Sequence, residues 1–216
     1  MSKKSVFPSK HIPPKQKEKM SFPMNDRMEI LRIEPDHTEI DKKFGTHIGV
    51  HECDAVRLAW LASQVPDGGT IVEIGSFWGR STGYMAAACK DRDISIIAID
   101  FWPNIEDFTK FLRNMKMLEY HFVQAVRMYS VEACAKLFHD KDESIDLLFI
   151  DGDHSFKGVE NDYVNWFPKV KSGGTIAFHD YAAYAWGEVQ FFVDSVAQCD
   201  LDITGVYQRV WSGRKK

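Results

Sequence analysis

Apolar residues come in two rhythms along this chain. From about Ile48 to Gln64, Cys53, Val56, Ala59 and Trp60 recur at helical spacing, which predicts an amphipathic helix. Pro66-Asp67-Gly68-Gly69 stops it and turns the chain. Short apolar runs then follow at intervals: Thr70–Ile74, Ile94–Asp100, His121–Val126, Ile145–Ile150 and Thr175–Phe178. Rich in β-branched residues and bounded by glycine or charged turns, they predict parallel strands buried on both faces. The stretches between them carry helical spacing. A Tyr-, Met- and Ala-rich segment starts near Arg80, and Ile105, Phe108, Phe111, Leu112, Met115 and Leu118 mark the next helix. Val131–Phe138 is a short helix, Val159, Tyr163, Trp166 and Phe167 form an aromatic stripe on another, and Val189, Phe192, Val193 and Val196 define the last. Strands alternating with helices predict an α/β fold, a doubly wound, mostly parallel sheet with helices on both faces. Leu201–Tyr207 and Arg209–Gly213 are expected to add a final hairpin, although no Asn-Gly or Gly-x turn separates them.

Composition divides the 216 residues in two. Residues 1–44 hold Pro8, Pro13, Pro14, Pro23 and Pro35 among lysines without a sustained apolar period, which predicts a partly disordered arm or one packed over the domain near Met28–Ile33. Residues 45–216 are expected to form one domain. The net charge of −4 conceals an asymmetry, since residues 1–20 carry six lysines and one glutamate, +5, leaving −9 for the rest. Such an arm can contact nucleic acid or a membrane, but as a solvated terminus it has a simpler explanation. No apolar run approaches the ~20 residues of a membrane span, and the first thirty residues lack a signal-peptide core. Cys53, Cys89, Cys134 and Cys199 are scattered through predicted helices without a C-x-x-C pair. They are expected to be buried reduced thiols in an intracellular, cytoplasmic protein.

The chemistry concentrates where strands end. In Thr70–Thr82, TIVEIGSFWGRST, a buried strand runs into a turn bracketed by Gly75 and Gly79 and then into a helix N-terminus. That arrangement points backbone N–H groups at a ligand. Dinucleotide proteins use G-x-G-x-x-G to hold a pyrophosphate. Here the spacing is E-x-G-x-x-x-G, with Phe77 at the place of the second glycine, which suits a ligand without pyrophosphate whose cationic end sits near Glu73. Asp100 ends the second strand 25 positions after Gly75, where its carboxylate can accept both hydroxyls of a ribose or cap the next helix. The fourth strand ends in Asp151-Gly152-Asp153-His154 and the fifth in His179-Asp180-Tyr181.

Taken together, V-E-I-G-S-F-W-G-R-S-T, I-A-I-D, F-I-D-G-D-H-S-F-K-G-V-E-N-D and K-S-G-G-T-I-A-F-H-D-Y resemble the class I S-adenosylmethionine-dependent methyltransferases. More narrowly, the chain is similar to the bacterial small-molecule O-methyltransferase-like family that includes sugar and macrolide-sugar methyltransferases and cephalosporin-hydroxylase-type proteins. The resemblance covers roughly residues 48–200. It implies a Rossmann-like fold and S-adenosylmethionine as cofactor. It also implies that Glu73, Gly75, Ser76, Phe77, Gly79 and Ser81 surround the methionine part, that Asp100 takes the ribose, and that Phe101 and Ser130 flank the adenine. Asp151 then lies beside the sulfonium. The implied reaction is methyl transfer to a hydroxyl of a small molecule, with a sugar or glycan residue as a candidate acceptor.

Two devices could activate that hydroxyl. Metal-dependent members hold a divalent cation with an aspartate after the fourth strand and an acidic pair after the fifth, and the matching positions are Asp151, His179 and Asp180. His179 departs from the usual Asp or Glu, which argues against magnesium and leaves manganese, iron or zinc open. In the second device His154 or His179 serves as general base. Trp102, Tyr181, Tyr184 and Trp186 cluster after strand ends and could line the acceptor pocket, or simply pack under the last helix. Three other classes compete. A nicotinamide oxidoreductase lacks its glycine pattern here, and an amino-group nucleic-acid methyltransferase would carry an N-P-P-Y-like motif where D-G-D-H stands. A protein that binds the cofactor without transferring methyl is the third. A homo-oligomer is compatible with the sequence, which does not fix the assembly state.

Overall fold

The computed structural model describes residues 49–216, together with Ile40 and Lys42. The arm proposed for residues 1–44 therefore lies almost wholly outside the described residues.

Helix α1 (Glu52–Ser63) leads into β1 (Gly69–Ile74), and α2 (Arg80–Cys89) into β2 (Ile94–Asp100). Then come α3 (Ile105–Met117), β3 (Val123–Arg127), α4 (Ser130–Leu137), β4 (Ile145–Ile150), α5 (Phe156–Trp166) and β5 (Val170–Phe178). Helix α6 (Gly187–Phe192) continues through a π-helical turn, Val193–Ala197, before β6 (Leu201–Tyr207) and β7 (Val210–Lys215) close the sheet. The seven strands lie in the order β3-β2-β1-β4-β5-β7-β6. β1 to β5 are parallel, and β7 runs antiparallel between β5 and β6. This mixed, doubly wound sheet is the arrangement the alternating pattern predicts.

Alternation along the central strands explains their largely apolar character. Ile71, Leu147 and Phe149 face a core shared with α1, α2 and α3, where Leu58, Tyr84 and Phe111 are buried. Val72, Ile74, Leu148 and Ile150 face the opposite core with Tyr163, Trp166 and Phe192. Each face of β1 and β4 thus needs its own apolar set. β1 pairs with β2 on one side and β4 on the other, so the carboxyl ends of these strands diverge into a crevice at the switch point of the sheet.

One strand starts earlier than expected, and the expected hairpin forms. β5 begins at Val170, with Lys171–Gly174 carrying an irregularity against β4 and Gly173 at φ +77, so the Gly-Gly pair is a kink within the strand. The terminal hairpin forms without a glycine turn. Gln208 takes the left-handed conformation at φ 51, and the next residue's N–H, that of Arg209, donates to an Asp54 carboxylate oxygen at 3.0 Å. Cys89 and Cys134 are buried as expected, whereas Cys53 and Cys199 are exposed; all four thiols are free. Among the described residues no helix is long and apolar enough to cross a membrane.

Candidate functional site

The turn after β1 is shaped by close approach. Gly75 has φ +85, and a Cβ there would lie 2.0 Å from the Asp151 carbonyl oxygen, where the ends of β1 and β4 converge. Gly79, also at φ +85, precedes α2, and a Cβ would press on Met115 at 2.7 Å and Phe111 at 2.9 Å. Only glycine meets both demands at either position.

The amides of this turn are not left free for a phosphate. Asp100 Oδ2 accepts the N–H groups of Ser76 at 3.1 Å and Phe77 at 2.9 Å, while its Oδ1 accepts that of Trp102 at 2.8 Å. The protein's own carboxylate fills the anion site that the turn creates, which excludes a pyrophosphate there on charge grounds. Asp100 does not cap α3, whose N-cap is Asn104. Phe77 and Trp102 sit at φ 43 and 34, strained conformations that these three hydrogen bonds help to hold.

A cavity of about 840 Å³ opens over the carboxyl edge of the sheet. Of the residues expected around a cofactor, Gly75, Phe77, Asp100, Phe101, Ser130 and Asp151 line it. Glu73, Ser76, Gly79 and Ser81 do not form its wall. Glu73 is fully buried beneath the turn, accepting hydrogen bonds from Ser81 Oγ at 2.5 Å and from the Thr82 hydroxyl. Burial raises its carboxyl to about 7, although those hydroxyls work in the other direction. Glu73 therefore ties β1 to α2 rather than presenting charge to the crevice. At the opposite side of the cavity Phe101 and Tyr129 stack on each other at 5.2 Å between ring centroids. Asp162 of α5, nearly buried in the wall, has its carboxyl pushed up to about 6 by burial.

Beside this cavity the ends of β4 and β5 assemble acids and imidazoles. His154 Nε2 lies 3.3 Å from Asp151 Oδ1 and 3.2 Å from Asp180 Oδ2. The two carboxylates raise His154 to about 9, so it keeps its proton at neutral pH. His179 Nδ1 lies 3.0 Å from Asp151 Oδ1, and its Nε2 lies 3.4 Å from Asp54 Oδ2. Burial opposes the charge of His179, but Asp151, Asp180 and Asp54 together push it up to about 12. Asp180, in spite of burial, is held below the usual carboxylate range by hydrogen bonds from both histidines. Asp180 itself has φ 54, a further strained residue at this rim.

The candidate metal set changes accordingly. One ligand atom each from Asp151, His154 and Asp180 lie within 4.8 Å of one another. His179 stands outside this set, because both ring nitrogens already face carboxylates and the ring is only 5% exposed. To accept a proton from a substrate, His179 would have to give up one of these contacts. Two carboxylate oxygens and an imidazole nitrogen fit a divalent cation of the manganese, iron or zinc type better than magnesium.

Among the aromatic candidates, Trp102 is core, 1% exposed and packed on Phe108 and Phe111. Tyr181 donates its hydroxyl to Asp194. Tyr184 is fully exposed, and Trp186 stacks on His154 at 4.6 Å and lines the cavity. Asp54 and Arg209 were not foreseen. An acid among the apolar positions of α1, next to Ala55 and four residues before Leu58, is the one sequence signal that could have marked Asp54.

The sheet order and the crevice at its switch point define a Rossmann-like fold of the class I methyltransferase type. Residues 72–181 match the family model described as a methyltransferase domain, and the chain belongs to that family. An uncharacterised protein of Acanthamoeba polyphaga mimivirus is 35% identical over 120 residues, which are 54% of this chain and 53% of that relative, so the chain spans about half of its length. The structure is similar to that of an O-methyltransferase from Bacillus cereus in complex with S-adenosylhomocysteine, with TM-score 0.61 and 15% identity, covering 91% of this chain and 94% of that one. It is also similar to a TDP-rhamnose 3'-O-methyltransferase of calicheamicin biosynthesis, with TM-score 0.61 and 15% identity over 89% of this chain and 86% of the other.

Proposed function

We propose that this chain transfers a methyl group from S-adenosylmethionine to a hydroxyl of a small, sugar-containing molecule. The observation that carries the reading is the cavity at the carboxyl edge, which joins the Gly75 turn and Asp100 to the Asp151–His154–Asp180 cluster. Five aspartates, Asp100, Asp151, Asp153, Asp162 and Asp180, line it against three cationic side chains, His154, His179 and Arg209, and the remaining negative excess attracts a ligand carrying sulfonium and ammonium charges. Asp100 retains acceptor capacity beyond its three backbone partners, because a carboxylate offers about four lone-pair sites, and in this reading it receives a ribose hydroxyl. Phe101, Tyr129 and Ser130 border the adenine, and Asp151 faces the sulfonium. Glu73, Ser76, Gly79 and Ser81 act from beneath by fixing the turn.

When bound, the cofactor supplies an electrophilic methyl carbon, to which an acceptor oxygen bonds in line as the carbon–sulfur bond breaks. The acceptor must also lose its proton. His154, protonated between two carboxylates, is a poor base at neutral pH, and a cation would have to displace that proton before the ring could ligate it. Asp151, His154 and Asp180 would hold a divalent cation, whose chemistry there is to lower the pKa of the acceptor hydroxyl. Trp186, partly exposed beside His154, offers a face to the C–H surface of a sugar ring. The likeness in fold to a TDP-rhamnose methyltransferase is consistent with that class of acceptor.

The test is formation of S-adenosylhomocysteine when the chain is incubated with S-adenosylmethionine, Mn(II) and a panel of nucleotide sugars and glycosides. Acceptor-dependent product supports the reading. Binding of S-adenosylhomocysteine without turnover on any hydroxyl acceptor would reduce the protein to a cofactor binder. Absence of that binding would reject the methyl-donor assignment itself.

A further inference from the structure

The charged groups at the rim form a closed circuit. Asp54 reaches His179 at 3.4 Å, His179 reaches Asp151 at 3.0 Å, and Asp151 reaches His154 at 3.3 Å. His154 reaches Asp180 at 3.2 Å, Asp180 reaches Arg209 Nη1 at 3.3 Å, and Arg209 Nε returns to Asp54 at 3.4 Å. Acid and base alternate around all six positions. Two members, Asp54 and Arg209, lie outside residues 72–181. Asp54 is completely buried in α1, and Arg209 sits at the tip of the β6–β7 hairpin, 35% exposed.

We infer that Asp54 and Arg209 are positioning residues that set the two candidate ligand carboxylates, Asp151 and Asp180, at the spacing a divalent cation requires. This inference rests on the cation reading of the rim given above. Asp54 acts through His179. That ring has one nitrogen on each of two acids, so it cannot turn without breaking one contact, and it pins the Asp151 oxygen. Arg209 acts directly on Asp180 Oδ1, leaving Oδ2 directed at His154. Asp54 also accepts the Arg209 backbone N–H at 3.0 Å, so one buried acid holds both arms of the clamp. Without the clamp Asp151 and Asp180 would face each other as like charges across the cluster and move apart. Groups that orient metal ligands from behind typically change metal affinity by about 10–100-fold when removed.

The experiment titrates Mn(II) into the full chain by electron paramagnetic resonance and, separately, S-adenosylhomocysteine by calorimetry. Both titrations use the unsubstituted protein, Asp54→Asn and Arg209→Gln. Asp54→Asn keeps the shape of the buried side chain, and Arg209→Gln keeps the backbone N–H that bonds Asp54, so at least one variant is expected to fold. In a folded variant we expect Mn(II) affinity to fall tenfold or more, with S-adenosylhomocysteine affinity unchanged within about twofold. Arg209→Lys, which keeps a charge near Asp180, is expected to recover part of the loss. A purely structural role would lower the melting temperature and leave the Mn(II) affinity of the folded protein intact. That result, or an unsubstituted chain that binds no Mn(II), overturns the inference. Loss of S-adenosylhomocysteine binding by the unsubstituted chain strikes at the methyl-donor reading instead, so the two failures are told apart.

Discussion

Replacing Asp100 by asparagine isolates the carboxylate on which the donor half of the crevice depends. Its Oδ2 takes two backbone N–H groups, from Ser76 and Phe77, and its Oδ1 takes a third, from Trp102. An amide has one acceptor oxygen. Turned to keep Ser76 and Phe77, it sets its NH₂ against the Trp102 N–H; turned the other way, it forfeits two bonds. At least one hydrogen bond to a charged acceptor is lost, a change of about 1.5–3 kcal/mol. Phe77 and Trp102, at φ 43 and 34, lose part of what holds them in strained conformations. Urea unfolding of Asp100→Asn is therefore expected to show stability lowered by about 1–3 kcal/mol. Calorimetry on the same preparation should show S-adenosylhomocysteine binding weakened by about 1–3 kcal/mol, roughly 5- to 150-fold, as the ribose loses a charged acceptor. Affinity unchanged within twofold would refute the ribose assignment, and unchanged stability would refute the account of the turn.

Three further outcomes test other parts of the account. Gly75→Ala places a Cβ 2.0 Å from a backbone oxygen at positive φ and should cost more than about 3 kcal/mol. Gly68→Ala, with φ +78 but open space around the Cβ, should cost only about 1 kcal/mol, and chemical denaturation compares the two. Glu73 binds its proton more tightly folded than unfolded, since burial raises it from 4.5 to about 7. Its favourable contribution is present below pH 4.5 and disappears as pH climbs through 7, a change of about 3 kcal/mol. Glu73→Gln should flatten that part of the stability–pH curve, and an unaltered slope would contradict it. Trp186→Ala should raise the KM for a sugar acceptor about tenfold while sparing S-adenosylhomocysteine affinity, whereas equal losses in both would place Trp186 elsewhere.

The parts of this architecture that were legible in the chain are those written in local pattern. β1, β2 and β4 are largely apolar runs because both faces are mostly buried, and Asp100 and Asp151 stand at the ends of β2 and β4, where the crevice must open. Contacts between distant elements left no such mark. Asp54 and Arg209 are 155 positions apart, and only the folded hairpin brings them together. His154 and His179 both follow strands and were both candidate bases, but only His179 matched the metal positions that the resemblance implies. The difference lies in Asp54, which occupies the second nitrogen of His179 and leaves His154 to face the cluster. For Trp102, which follows β2, the sequence left open an acceptor pocket or simple packing; with its backbone at φ 34 the indole packs onto Phe108 and Phe111. Glu73 misled for a related reason. Alternation along β1 directs it inward to Ser81 and Thr82 rather than to the rim.

The most direct measurement is a crystal structure of the chain grown with S-adenosylhomocysteine. The account predicts density in the crevice with the ribose hydroxyls within hydrogen-bond distance of Asp100, the adenine beside Phe101 and Ser130, and the sulfur near Asp151. An empty crevice at saturating ligand, or the nucleoside bound with Asp100 out of reach, would contradict it.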